Sequence, residues 1–198
     1  MQISVTSNVN EVKKTLTRIQ RRQIPYATSV AINNTAVKLL KVEQGAMKKH
    51  LDRPRKQTIT ALKLQRSNKK KIPITARLYF TDWANRYMVY QVYGGTRPVK
   101  TVVPLNQYGG KLNAYGSIPA RKSRGWAKKH KQFFVESKGK TLLMRPKGRD
   151  DQAVVGVMTD NPVYKKRYPF YEIADGVVKR VFPKEFNRAL AEALRTAR

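Results

Sequence analysis

An apolar stripe at helical spacing fixes the first quarter of the fold. Tyr26, Val30, Val37, Leu40, Met47 and Leu51 fall on one helical face, with Asn33 and Gln44 as its interruptions. Ala27, Ile32, Ala36 and Leu39 widen that face. A pattern of this period is satisfied by a helix with one side against a core. It predicts a helix of about 26 residues, roughly 39 Å long at 1.5 Å per residue. Asp52 and Pro54 mark its end. Upstream, Asn10 to Arg22 is helix-like and basic, and Pro25 is expected to interrupt or kink the pattern.

The period then changes. Thr58 to Leu64 alternates through Ile59, Ala61 or Leu62, and Leu64, and reads as a strand. Ile72 to Phe80 reads as its return, with Ile74, Ala76, Leu78 and Phe80 on one face, and the two predict a β-hairpin whose turn carries Lys69, Lys70 and Lys71. Asp82 is the expected N-cap of a short helix, Trp83 to Val92, which Gly94 and Gly95 end. Thr96 to Lys131 shows little periodicity and reads as a long loop rich in Gly, Pro and cations. Phe133 to Glu136, Thr141 to Arg145 and Ala153 to Met158 read as further strands, the last apolar enough to be buried, with an exposed turn over Pro146 to Gln152. From Tyr168 the pattern is helical again. Ile173, Val177 and Val181 share one face, Phe186, Leu190 and Leu194 another, and Pro183 between them reads as a first-turn residue of the last helix.

The expected architecture is α+β. A long N-terminal helix and a C-terminal helix pack on a small antiparallel sheet, with a long basic loop inserted. Residues 1–198 read as a single domain, with a helical N-terminal region over 9–51, the hairpin and short helix over 58–95, the basic loop over 96–132, and strands and C-terminal helices over 133–198. The opening residues, Met1 to Val5, hold no apolar run suited to secretion, and no window approaches a membrane span, so a soluble, cytoplasmic chain is expected. The absence of cysteine fits a reducing compartment and excludes thiolate metal sites.

The formal charge is +30, with 42 Lys and Arg against 12 Asp and Glu, and it is unevenly placed. Lys63 to Arg149 holds twenty-one basic residues and two acids, Asp82 and Glu136, a local excess of nineteen. Asp151 to Arg198 holds nine basic residues against six acids. A surface that cationic repels itself unless a polyanion or an acidic neighbour lies against it. No base-reading module is visible, so contact with nucleic acid is expected to be with the phosphate backbone and sensitive to salt. The candidate DNA- or partner-facing cations are Lys69, Lys70 and Lys71 of the hairpin turn, and Arg121, Lys122, Arg124, Lys128, Lys129 and Lys131 of the loop.

The inventory for catalysis is short. His50 and His130 each sit among lysines, which disfavour both an imidazolium and a bound metal. Asp150 and Asp151 are adjacent in a turn, and with Asp160 they are too few for a two-metal nuclease centre. Neither Gly94-Gly95 nor Gly109-Gly110 has the pattern of a phosphate-binding loop. Tyr79, Tyr87, Tyr90, Tyr93, Tyr108 and Tyr115 cluster in the middle third. Tyrosines among cations can stack single-stranded bases, but Tyr87 and Tyr90 beside Trp83 at helical spacing read first as core or assembly contacts. No catalytic residue, metal site, cofactor or small-molecule substrate is expected.

In order along the chain, these features resemble the minor tail protein Z family of lambda-like phages, related to tail-component and neck proteins of other long-tailed phages. The resemblance rests on the long helix with Ala31-Ile32-Asn33-Asn34-Thr35-Ala36 at its middle, the hairpin ending Ala76-Arg77-Leu78-Tyr79-Phe80, and the C-terminal helix Phe186 to Leu194. Its most specific part is the helix–glycine segment from Trp83 to Arg97, with Trp83, Tyr87, Tyr90, Gly94 and Gly95. Lys100 to Lys131 has no counterpart in the shared small fold. The resemblance implies a structural virion protein of the neck or head-proximal tail end, found in the virion and, during assembly, in the host cytoplasm. Such proteins form rings, most often sixfold, around the DNA path and complete the tail for head–tail joining. The implied partners are other copies of the chain, neighbouring head-completion and tail-terminator proteins, and the genome backbone. The alternative reading is a non-enzymatic cytoplasmic nucleic-acid-binding protein of ribosomal or nucleoid type. A metal nuclease centred on Asp150 and Asp151 is a third.

Overall fold

The computed structural model describes residues 1–6, 18–70, 73–105, 113–116, 133–146 and 152–196. The fold is α+β, as expected. Two compact units divide the chain where the sequence reads as one domain: residues 1–92 with 167–198, and residues 93–166.

The first unit holds α1 (Arg18–His50), α2 (Lys56–Thr60), α3 (Asp82–Tyr93) and α4 (Phe170–Arg195), with strands β1 (Gln2–Thr6), β2 (Leu62–Gln65) and β3 (Thr75–Phe80). The strands form one antiparallel sheet in the order β1-β3-β2. Ala76, Leu78 and Phe80 of β3 alternate onto its inner face and meet Ile32, Ala36, Leu39 and Met47 of α1 in a single core. Ala84, Met88 and Val92 of α3 and Phe170, Ala174 and Val177 of α4 complete it. Each fully buried aliphatic or aromatic side chain of this kind stabilises the fold by roughly 1.5–3 kcal/mol.

α1 and α4 run antiparallel. Ala27 and Ala31 near the start of α1 meet Ala189 and Ala193 near the end of α4, while Glu43 further along α1 meets Tyr168 just before α4. Both alanine pairs are spaced four apart, so each helix presents two small side chains on one face, and small contact residues bring helix axes close together.

Several expectations need correction here. Pro25 neither ends nor divides a helix, since α1 is continuous over 33 residues. Pro183 likewise lies inside the 26-residue α4 instead of opening a new helix. An internal proline costs about 3 kcal/mol or more in lost bonding and ring clash. Packing near each proline offsets it: Ile24 and Ala27 are buried close to Pro25, and Phe182 and Phe186 stack across Pro183 with ring centroids 5.9 Å apart. The segment from Thr58 is not a strand throughout, because α2 occupies its first residues. Ala61 and Leu62 are both buried. Consecutive burial breaks the alternation of a one-sided strand, and it marks the handover from helix to β2. Asp82 is not the N-cap but lies in the first turn of α3. The Thr81 carbonyl instead receives the amides of Ala84 and Asn85 at 2.9 and 2.8 Å, and Asp82 faces the positive end of the helix dipole. β1, absent from the sequence reading, adds an edge to the hairpin.

The second unit holds β4 (Gly95–Thr96) and β9 (Val163–Tyr164), paired with each other, and a four-stranded antiparallel sheet. That sheet comprises β5 (Lys100–Pro104), β8 (Gln152–Asp160), β7 (Lys140–Pro146) and β6 (Phe133–Ser137), in that order. β5 therefore lies inside the stretch expected to be a long loop, and β4 reaches its first residue, Thr96. The three strands expected at 133–158 are present, but Val154, Val157 and Met158 are only half-buried. Among the described residues of this unit no helix covers either face of the sheet, and Phe134 is 54% exposed. No helix among the described residues is long and apolar enough to cross a membrane.

Candidate functional site

The cationic hairpin turn is built from the interruption in the first helix. Asn33 accepts a hydrogen bond from the Ser67 amide at 2.8 Å, and its own amide donates to the Ser67 carbonyl at 3.4 Å. The hydroxyls of Ser29 and Ser67 lie 2.8 Å apart, and Ser67 also donates to the Ser29 carbonyl at 3.2 Å. A polar residue in an apolar stripe thus clamps the base of the β2–β3 turn to α1. Beyond the clamp, Asn68 accepts from the Lys70 amide at 2.9 Å, a side-chain turn that tightens the tip. Lys69 and Lys70 are both exposed there. The Lys69 ammonium lies 5.4 Å from the centroid of the Tyr26 ring, a cation–π contact. Lys71 lies outside the described residues, as do Arg121, Lys122, Arg124, Lys128, Lys129 and Lys131.

The helix–glycine segment serves architecture at one end and solvent at the other. Tyr87 is half-buried, its hydroxyl 3.0 Å from that of Thr58, and Tyr90 is half-buried as well. Of the core or assembly contacts expected for this segment, Trp83 does not make the first. It is 49% exposed, stacked obliquely on Tyr87 with centroids 6.0 Å apart. Ala84, Met88 and Val92 form the buried face of α3. Gly94 has φ +77° and packs on the backbone of Tyr164 and Lys166, where a Cβ would sit 3.1 Å from the Tyr164 carbonyl oxygen. The glycines turn the chain from α3 into β4.

Two carboxylates in the first unit are withdrawn from water. Glu185 receives hydrogen bonds from Lys38 at 2.6 Å, Asn34 at 3.1 Å and Arg188 at 2.5 Å. The Lys38 bond leads in holding its carboxyl below the usual range, followed by those of its neighbours. Glu43 is fully buried. It accepts a hydrogen bond from the Tyr168 hydroxyl, and its other oxygen has no partner among the described residues. Burial pushes the Glu43 carboxyl up to about 7 against the opposing pull of that bond. Burial and the adjacent carboxylate push the Tyr168 phenol up as well. His50 stacks obliquely near Tyr168 with centroids 6.5 Å apart. Among the described residues no group of three or more His, Asp or Glu converges as metal ligands would; Asp150, Asp151 and His130 lie outside them.

No protein family, curated protein or solved structure matches the chain. What the geometry offers is a fixed cationic tip, a half-exposed tryptophan and a large positive charge on an α+β scaffold.

Sequence reasoning missed the clamp and the exposed tryptophan. The clamp had a signal in the sequence, since Asn33 interrupts an otherwise apolar stripe. The exposure of Trp83 had none, because Trp83 and Ala84 are adjacent on a helix and either could face the core.

Proposed function

We propose that this chain is a structural virion protein of the phage neck or head-proximal tail end, acting as a ring around the DNA path to complete the tail for head joining. The observation that carries this reading is the charge: +30 on 198 residues, with the exposed Lys69 and Lys70 on a hairpin turn whose base is clamped to α1 through Ser67 and Asn33. Copies with that charge can assemble only if a neighbour offsets their repulsion. Genome phosphates and acidic faces of adjoining rings both supply the opposite sign. In this role the protein binds and positions; no bond-making step is assigned to it. The reading places it in the host cytoplasm during assembly and in the virion afterwards.

The test is co-purification with tails or virions, joined to replacement of Arg121, Lys122, Arg124, Lys128 and Lys129 by alanine. Infectious yield should fall while the purified variant keeps its unfolding temperature. Normal yield from that variant removes the loop from the mechanism. Co-sedimentation of the intact chain with ribosomes, and none with tails, would replace the reading with the ribosomal or nucleoid one, which the same exposed lysines also suit.

A further inference from the structure

The outer face of the three-stranded sheet is not a bland solvated surface. The inner face takes Ile3, Leu62, Leu64, Ala76, Leu78 and Phe80. The alternation that buries them turns Gln2, Ser4, Lys63, Gln65, Arg77 and Tyr79 outward, and all of these are exposed. The registers place Tyr79 between Gln2 on β1 and Lys63 on β2, with Arg77 between Ser4 and Gln65. An aromatic ring therefore sits at the middle of the face, 38% exposed, with a cation directly across from it and another two residues along. Neither Lys63 nor Arg77 enters an ion pair among the described residues.

Lys63 also lines a groove of about 410 Å³ with Gln57, Thr60, Ala61, Thr81 and Trp83. The half-exposed Trp83 and the central Tyr79 are thus linked through one lysine. The nearest acid in sequence is Asp82, beside Trp83 at the rim. We propose that this face and groove bind a single strand of nucleic acid, with unpaired bases stacking on Tyr79 and Trp83 and phosphates resting on Lys63 and Arg77. Aromatic platforms interleaved with cations suit single strands, because each unpaired base offers an open π-face. A duplex hides those faces and meets such a surface by charge alone. The amide and hydroxyl groups of Gln57, Thr60 and Gln65 supply donors and acceptors for base edges without demanding one sequence. This inference does not rest on the ring reading, since a ring subunit and a free protein would both show it.

The remaining cations of the chain bind any polyanion, so the test must subtract them. A thymidine decamer and an abasic decamer of equal charge are titrated into the full chain at fixed salt, with a uridine decamer to compare RNA with DNA. The intact protein should hold base-bearing strands about tenfold more tightly than the abasic one. Trp83→Ala and Tyr79→Thr should each erode that preference, and together abolish it, while affinity for the abasic strand stays unchanged. Both side chains are exposed and both replacements suit their elements, so thermal unfolding should show folded variants. If Trp83→Ala nevertheless unfolds, Trp83→Phe should keep the preference through its own ring. Equal affinity of the intact chain for base-bearing and abasic strands would overturn the proposal. So would a preference that survives in the double variant.

Discussion

The hydroxyl of Tyr168 donates to the carboxylate of Glu43 inside the core of the first unit, joining the last third of α1 to the stretch that leads into α4. Both side chains are fully buried, and no cation accompanies them among the described ion pairs. A carboxyl in such a place is favoured in its protonated form.

Stability should therefore respond to pH in an unusual direction through Glu43. Its folded value of about 7 lies above its ordinary 4.5. The folded state thus binds the proton more tightly, and the contribution is complete below the unfolded value and lost as pH rises through the folded one. The loss is on the order of 3 kcal/mol. Denaturant midpoints from pH 4.5 to 8 should fall more steeply for the intact chain than for Glu43→Gln, which keeps an acceptor for Tyr168 and does not titrate. Parallel curves would show that Glu43 is charged throughout.

Glu185 should behave in the opposite sense. Its carboxyl is held below the ordinary range, chiefly by Lys38, so it stabilises above the unfolded value and ceases to as pH falls through the folded one. Glu185→Gln should cost about 1 kcal/mol near neutrality, a modest figure because Lys38 and Arg188 stand mostly in water. The difference should vanish in acid, as read by urea unfolding of the two proteins side by side.

Asn33→Leu would complete the apolar stripe of α1 yet should destabilise the protein. The lost bonds to Ser67 are worth about 1–2 kcal/mol, more than a half-buried leucine returns. Amide exchange at Ser67 should accelerate, because its N–H donates to Asn33. Unchanged protection there would show that the turn is held by other contacts.

The two glycines after α3 should differ. Gly94→Ala meets both a positive φ and the Tyr164 carbonyl, and should cost about 2 kcal/mol or more. At Gly95, φ is +107° but the space for a Cβ is open, so alanine should cost about 1–2 kcal/mol from the backbone alone. Thermal unfolding of the two variants gives the order.

Much of the first unit was readable from periodicity. Ile74, Ala76, Leu78 and Phe80 announce the inner face of β3 by alternation, and Ile32, Ala36 and Leu39 announce the buried face of α1. These signals are local, because the period of a buried face equals the period of the backbone that carries it. β1 escaped notice because five residues with Ile3 and Val5 alternating are too few to stand out. Pro25 and Pro183 misled for a different reason. Their cost is visible at the proline itself, whereas what offsets it, burial beside Pro25 and ring stacking across Pro183, is set only when the helices fold and pack. In the second unit, Val154, Val157 and Met158 looked buried because the run is apolar, but they are only half-buried, since burial also requires a layer to lie over them.

The sequence by itself determined the α+β class, the helix that carries the core, the hairpin and the cationic excess, since each follows from residue type and spacing along one stretch of chain. Only the tertiary structure decided that Asn33 clamps a turn, that Trp83 and Tyr79 meet solvent, and that Glu43 is shut away with Tyr168. Those outcomes depend on which residue, 34 to 125 positions distant for the clamp and the buried pair, arrives opposite. Spacing along the chain carries no record of that arrival.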